Sequence, residues 1–456
     1  LTLVSVTDGS CSQNLTGTST VTVNSLPTAS ISGNNSPVCA NSTATFTLSG
    51  TSGVTVTYKI NGGSNQNITL TGGTATVSVP SATVNQTLTL VSVSDGSCSQ
   101  NLTGTSTVTV NNSPTASISS NNSPICANNT ATFTLNGSSG ATVKYTINGG
   151  TNQTTTLTGG TATVSVPSVT VNQTLMLVSV SDGSCSQNLT GTSTVTVNSL
   201  PAASITSNNS PVCANSTATF TLSGTSGATV TYKINGGSNQ TITLTGGTAT
   251  VSVPSATANQ TLTLISVSDG SCSQNLTGTS TVTVNNLPMA SITANNSPVC
   301  ANTTATFTLS GTSGATVTYT INGGSNQTIT LTGGTATVSV PSATANQTLT
   351  LISVSDGSCS QNLTGTSTVT VNSLPTTSIS SNNSPVCANT TATFTLSGTS
   401  GATVTYTLNG GSNQTTTLTG GTATVSVPSA TVNQTLTLVS VSDGNGCSQP
   451  LVGVAT

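Results

Sequence analysis

Residues recur along this chain at intervals of 87. Pro27, Pro114, Pro201, Pro288 and Pro375 are spaced in this way, and so are two aromatic series that start at Phe46 and Tyr58. A fixed period of this length means one structural unit copied in tandem. The copies are nearly identical, so whatever one unit does is done many times in a line. The period divides the 456 residues into repeats 27-113, 114-200, 201-287, 288-374 and 375-456, with 1-26 reading as the last strands of a preceding repeat. A unit of 87 residues is a plausible small domain, near the size at which a single core becomes marginal.

Within residues 27-113 the apolar positions alternate. Ala44, Phe46 and Leu48 share one face of a predicted strand, and Val54, Val56, Tyr58 and Ile60 share a face of the next. Asn61-Gly62-Gly63 reads as a hairpin turn, because Asn and Gly tolerate positive φ. Ile68 and Leu70 alternate next, and Gly72-Gly73 reads as a second hairpin turn. Ala75, Val77 and Val79 follow, with Pro80 expected to end their strand. The phase slips at Leu90-Val91, which predicts a bulge. Asp95-Gly96 turns the chain into a last strand over 105-110. With a short strand at 28-32 in front, the unit has seven strands. Period-two alternation punctuated by turns is the pattern of a sandwich or barrel, and an immunoglobulin-like sandwich fits the length and strand count.

The expected fold class is therefore all-β: a tandem array of seven-stranded immunoglobulin-like β-sandwich domains forming a rod. Linkers such as Asn111-Asn112-Ser113-Pro114 are short and restricted by proline, which predicts a stiff rod with about 40 Å per unit. The aromatics, Phe46, Tyr58, Phe133, Tyr145, Phe220, Tyr232, Phe307, Tyr319, Phe394 and Tyr406, read as core residues facing each other across the sheets. A ligand platform is the alternative reading of the same residues.

Charge narrows the function. Only 2% of residues are charged, with no Arg, Glu, His or Trp, against about 25% in ordinary soluble proteins. The basic residues are Lys59, Lys144 and Lys233, too few to replace nucleic-acid counterions. Apolar stretches are short and alternate with Thr and Ser, so no membrane insertion is expected. Without His a serine nucleophile lacks its usual base, and Lys is missing from two repeats. One Asp per repeat, in a DG turn, supplies neither a carboxylate pair nor a calcium site. No enzyme activity, cofactor or metal is expected. Sequons such as Asn14, Asn41, Asn67, Asn85 and Asn101 are what a chain rich in Asn and Thr produces by chance. The Thr-x-Thr rows raise an ice-binding reading, which sheet twist weighs against. A near-neutral Thr, Ser and Asn surface favours association.

The eleven cysteines form two periodic sets, one from Cys39 in VCA or ICA and one from Cys11 in GSCSQ or GNGCSQ. Such pairs in a chain lacking His read as disulfides, and hence as an exported, oxidised protein. Two pairings stand open. Within repeats the bridges would be Cys39–Cys98, Cys126–Cys185, Cys213–Cys272, Cys300–Cys359 and Cys387–Cys447. Cys39, however, precedes one predicted strand and Cys98 follows another that runs the same way. That puts them at opposite ends of the sandwich, roughly 20 Å apart, whereas a disulfide needs Cα atoms within about 7 Å. Between neighbouring repeats the bridges would be Cys39–Cys185, Cys126–Cys272, Cys213–Cys359 and Cys300–Cys447, leaving Cys11, Cys98 and Cys387 to find partners beyond the ends. One miscounted strand would reverse the choice.

The runs LPTASISGNNSPVCANSTATFTLSGTSG and LTLVSVSDGSCSQNLTGTSTVTV resemble immunoglobulin-like repeats of large Bacteroidota cell-surface proteins. The resemblance spans the whole chain. It implies an extracellular or cell-surface location, secretion of the type IX class, and a structural or adhesive role. The primary expectation is a rigid fibre or filament protein that self-associates. The alternatives are the stalk of an adhesin whose binding tip lies outside this stretch, and a carbohydrate-binding array with glycan partners. The last copy departs from the others at Gly444-Asn445-Gly446-Cys447 and Gln449-Pro450-Leu451, with an incomplete or atypical last strand, as in terminal repeats of such arrays.

Overall fold

The computed structural model describes residues 1–455, and every regular element in it is a β-strand. The expected end of the last strand at Thr456 lies outside the described residues. The chain divides into two compact units, Leu1–Pro201 with Ser268–Gln274, and Ala202–Val267 with Asn275–Thr456.

Two short strands open the chain, β1 (Ser5–Thr7) and β2 (Ser12–Asn14), paired as a hairpin. The first complete repeat then contains β3 (Ala29–Asn34), β4 (Val38–Cys39), β5 (Ser42–Gly50), β6 (Thr55–Ile60), β7 (Gln66–Thr69), β8 (Thr74–Ala82), β9 (Gln86–Ser94), β10 (Ser99–Asn101), β11 (Thr105–Val108) and β12 (Val110–Asn111). One sheet has the antiparallel order β3-β5-β8. The other runs β7-β6-β9, with β10 and β11 both paired to the far edge of β9. Strands β10 and β11 are thus one edge strand interrupted at Leu102-Gly104. The first strand is also broken. After β3 pairs with β5, the chain crosses the cis Ser36-Pro37 bond and β4 pairs in parallel with β12. Counted this way the repeat has seven strands in two packed sheets, an immunoglobulin-like β-sandwich. The chain is a tandem array of such domains.

The core follows from the alternation. Phe46 and Leu48 on β5 are 0% exposed and pack in one cluster with Val56 and Tyr58 of β6, Val77 of β8, Leu88 and Val93 of β9 and Val108 of β11. The same cluster recurs around Phe133, Phe220, Phe307 and Phe394.

Two local expectations are corrected. Pro80 does not end its strand: β8 continues to Ala82, and the pairing jumps from Ala44↔Val79 to Ser42↔Ala82. Pro80 and Ser81 form a bulge, with Ser81 at φ 50°, where the missing proline N–H removes no ladder bond. In the second repeat the corresponding strand does stop, at Val166. Gly72-Gly73 is a tight turn closed by a Thr71↔Thr74 bridge, but not a hairpin. It carries the chain from β7 in one sheet to β8 in the other. The expected bulge in β9 is present, with Val91 skipped between the pairs Thr57↔Ser92 and Tyr58↔Leu90.

Candidate functional site: the cysteine-bearing ends of the repeats

Each cysteine is held by a rigid local device. The loop before Cys39 is braced by two asparagines. Asn34 Oδ1 accepts from the Ser36 amide at 2.8 Å. Asn35 accepts from the Thr45 amide through Oδ1 at 2.8 Å and donates through Nδ2 to Thr43 O at 2.9 Å. The parallel ladder then fixes Cys39 itself, with Val38 N donating to Thr109 O at 2.9 Å and Ala40 N to Asn111 O at 2.8 Å. Asn41 ends the loop at φ 66°, a left-handed conformation that Asn tolerates.

The opposite end of the sandwich carries the other cysteine, on the Asp-Gly turn. In the second repeat Asp182 Oδ1 accepts from the amides of Ser184 at 2.9 Å and Cys185 at 2.7 Å. Asp182 N donates to Cys185 O at 3.1 Å, and Gly183 supplies φ 90°. These amide donors hold the Asp182 carboxyl below its usual pKa, that of Cys185 contributing most. The carboxylate is occupied in closing a turn, and among the described residues no cluster of three His, Cys, Asp or Glu is placed to hold a metal ion.

The two devices meet in four bridges. Cys39 joins Cys185 with Cα atoms 5.6 Å apart, Cys126 joins Cys272 at 5.7 Å, Cys213 joins Cys359 at 5.7 Å and Cys300 joins Cys447 at 5.5 Å. All four separations fall in the range a disulfide requires. The first two bridges lie in one compact unit and the other two in the second. Cys39–Cys98 and the other within-repeat pairs are not joined. Cys11, Cys98 and Cys387 are free thiols, Cys11 and Cys387 exposed and Cys98 half-buried. A shallow cleft of about 490 Å³ flanks the Cys126–Cys272 bridge, lined by Asn128, Leu200 and Ser271 among others.

The aromatic candidates are elsewhere and enclosed. The phenylalanines are at most 2% exposed and the tyrosines 6–7%. Each tyrosine hydroxyl donates to a glutamine on the neighbouring strand, as Tyr58 does to Gln66 Oε1 at 3.1 Å. Burial raises the pKa of each phenol. No aromatic face is left open for a ligand.

Sequence reasoning passed over the asparagine brace and the β4–β12 ladder. Their signal was present in the NNSP run that heads each cysteine loop. Among the described residues the last repeat shows no such ladder: its strands pass from Thr377–Asn382 to Thr390–Gly398, and its final strand, Ser448–Ala455, corresponds to residues 99-106 of the first repeat, which precede the ladder strand there.

No family model matches the chain, and no curated protein does. Among solved structures it is similar to an I-band fragment of titin, at 14% identity over 57% of this chain and 98% of that one, with a TM-score of 0.36. It is also similar to a mutant Salmonella alpha-2-macroglobulin, at 11% identity over 98% of this chain and 41% of the other, with a TM-score of 0.20.

Proposed function

We propose that this chain is a structural protein of an extracellular bacterial fibre, a rigid rod of repeated sandwiches without enzymatic activity. The observation that carries this reading is the set of four bridges, each tying one repeat to the next. A disulfide inside a domain stabilises that domain. One between domains removes freedom at their joint, which serves a protein whose task is to keep its length. Disulfides also favour an oxidising compartment outside the cell, in keeping with the resemblance to Bacteroidota surface repeats. The near-neutral Thr and Ser surface supports self-association.

The stalk of an adhesin is the second reading. It is favoured by the near-identity of the repeats, which leaves no specialised binding loop in this stretch. A carbohydrate-binding array is the weakest reading, because all ten aromatics are enclosed.

Negative-stain microscopy of oxidised and reduced protein tests the proposal. Straight particles of uniform length that become bent or beaded on reduction are expected. Particles equally flexible in both states would overturn it. Fibres thicker than one domain favour the filament, and single rods favour the stalk.

A further inference from the structure

The four bridges splice short stretches of backbone into two continuous covalent lines. Cys39 is joined to Cys185, residues 185-213 lead to Cys213, and Cys213 is joined to Cys359. Cys126 is joined to Cys272, residues 272-300 lead to Cys300, and Cys300 is joined to Cys447. Each line leaves out the residues that build the sandwich bodies. Residues 126-185, 213-272 and 300-359 supply Phe133, Phe220 and Phe307 with most of the surrounding cores. They lie between the lines and on neither.

The spliced stretches are already extended. Between Cys185 and Cys213 the chain forms Ser186–Asn188, Thr192–Val195, Val197–Asn198, Ala203–Asn208 and Val212–Cys213. The first two pair antiparallel with the same strand, Gln173–Ser181, and so run the same way. A strand rises about 3.3 Å per residue, close to the limit of a stretched chain. Pulling such a segment gains little length. The path through a sandwich body instead reverses repeatedly between two sheets, and straightening it requires the core to open. The two lines also brace each other. In the third repeat Val212–Cys213 ends a stretch of the first line, Val284–Asn285 belongs to the second, and the two pair in parallel. Asn208 Nδ2 donates to Ser280 Oγ at 2.8 Å and to Thr281 O at 3.1 Å, and Thr283 N donates to Ser210 Oγ at 2.9 Å. The second and fourth repeats show the same ladder, Ile125–Cys126 with Val197–Asn198 and Val299–Cys300 with Val371–Asn372.

We propose that the chain bears tension, and that pull along the array passes through these two spliced lines, so that the sandwiches are spared from unfolding under load. The inference deepens the structural role read above and rests on it, adding resistance to stretching to stiffness at the joints. A string of domains linked by backbone alone lengthens by one unravelled domain at a time. Here an opened sandwich adds nothing to the length, because its residues lie off the loaded path. The bridges thus set a ceiling on extension that the stability of the individual folds does not set.

Force spectroscopy on the full chain tests this. Cys98→Ser leaves Cys11 and Cys387 as the free thiols, and thioether-linked DNA handles on them hold the chain in an optical trap. With the bridges closed, the shortest covalent path between the handles runs through 11-39, 185-213 and 359-387, about 300 Å at full stretch. With the bridges reduced, residues 11-387 measure about 1,300 Å at full stretch. The oxidised chain is expected to stop lengthening near the first value, and the reduced chain to lengthen in steps toward the second, a roughly fourfold difference. Cys213→Ser with Cys359→Ser opens the first line and is expected to raise the oxidised limit about twofold. Cys126→Ser with Cys272→Ser opens only the second line and is expected to leave the limit unchanged. These limits are set by connectivity, so they hold even for a variant whose sandwiches are loosened. Domain-sized steps in the oxidised chain, a limit of about 490 Å as within-repeat bridges would give, or a limit indifferent to loss of Cys213–Cys359 would overturn the inference. Microscopy that found the oxidised chain flexible would count against the fibre role and leave this ceiling in place.

Discussion

The Cα atoms of Cys39 and Cys185 lie 5.6 Å apart across 146 residues of chain, while Cys98, the cysteine in the same repeat as Cys39, is left free. The bridge therefore contributes to the joint between two sandwiches, and each sandwich rests on its own core. Cross-linking residues this far apart stabilises by about 5 kcal/mol in a chain-entropy treatment. The loops overlap, so the four contributions do not add.

Reduction should accordingly lower the thermal midpoint without removing the sheets. Far-UV circular dichroism at 25 °C is expected to be unchanged by a strong reductant, while calorimetry shows an earlier and broader transition. Loss of the β-sheet signal at 25 °C would mean that the repeats cannot hold their folds without the bridges.

Phe220 is fully buried at the centre of its cluster. Phe220→Ala should cost about 3–5 kcal/mol in that repeat. Because each repeat has a separate core, calorimetry should show one early partial transition rather than a uniform shift. A uniform shift would mean that the repeats unfold as a single cooperative unit.

Thr146 is 6% exposed, and its Oγ1 has no hydrogen-bond partner. A buried unpaired hydroxyl is a cost. Thr146→Val keeps the shape and removes the hydroxyl, so it should stabilise the second repeat by about 1 kcal/mol. Chemical denaturation of the variant measures this, and a loss of stability would contradict the packing described.

The pH dependence should be a broad plateau with two falling edges. The carboxyls of Asp8, Asp95, Asp182, Asp269 and Asp356 are held below their ordinary value by amides of the turn, that of the cysteine three residues on contributing most. A folded value below the unfolded one gives stability that is complete above the unfolded value and lost as pH falls through the folded one. The acid edge therefore lies below about pH 4. The five phenols are raised by burial, so their contribution is complete below about pH 10 and lost as pH rises through the folded value. With no His in the chain, thermal midpoints at pH 5 and pH 8 should agree. A slope between them would point to an unrecognised titrating group.

The repeat and its sandwich were legible from residue order alone. Period-two alternation places Phe46, Leu48, Val56 and Tyr58 inward on any pleated strand, and no neighbouring repeat is needed to say so. The bulge at Val91 was legible for the same reason, since an added residue shifts the phase of every side chain after it. Two features were decided only by the tertiary structure. Pro80 reads locally as a terminator, yet the strand opposite it continues, and a bulge absorbs the missing amide. Gly72-Gly73 reads locally as a hairpin, yet the turn passes between sheets, because a dipeptide sets the reversal of a chain and not which strand lies beside it. The disulfides stand between these cases. Counting strand directions separates Cys39 from Cys98, and a head-to-tail order of repeats turns the Cys39 loop toward the next repeat's Asp-Gly turn, which holds Cys185. What holds that loop in place is the parallel ladder between Val38-Cys39 and Val110-Asn111, a contact between residues far apart in the chain that no local pattern encodes.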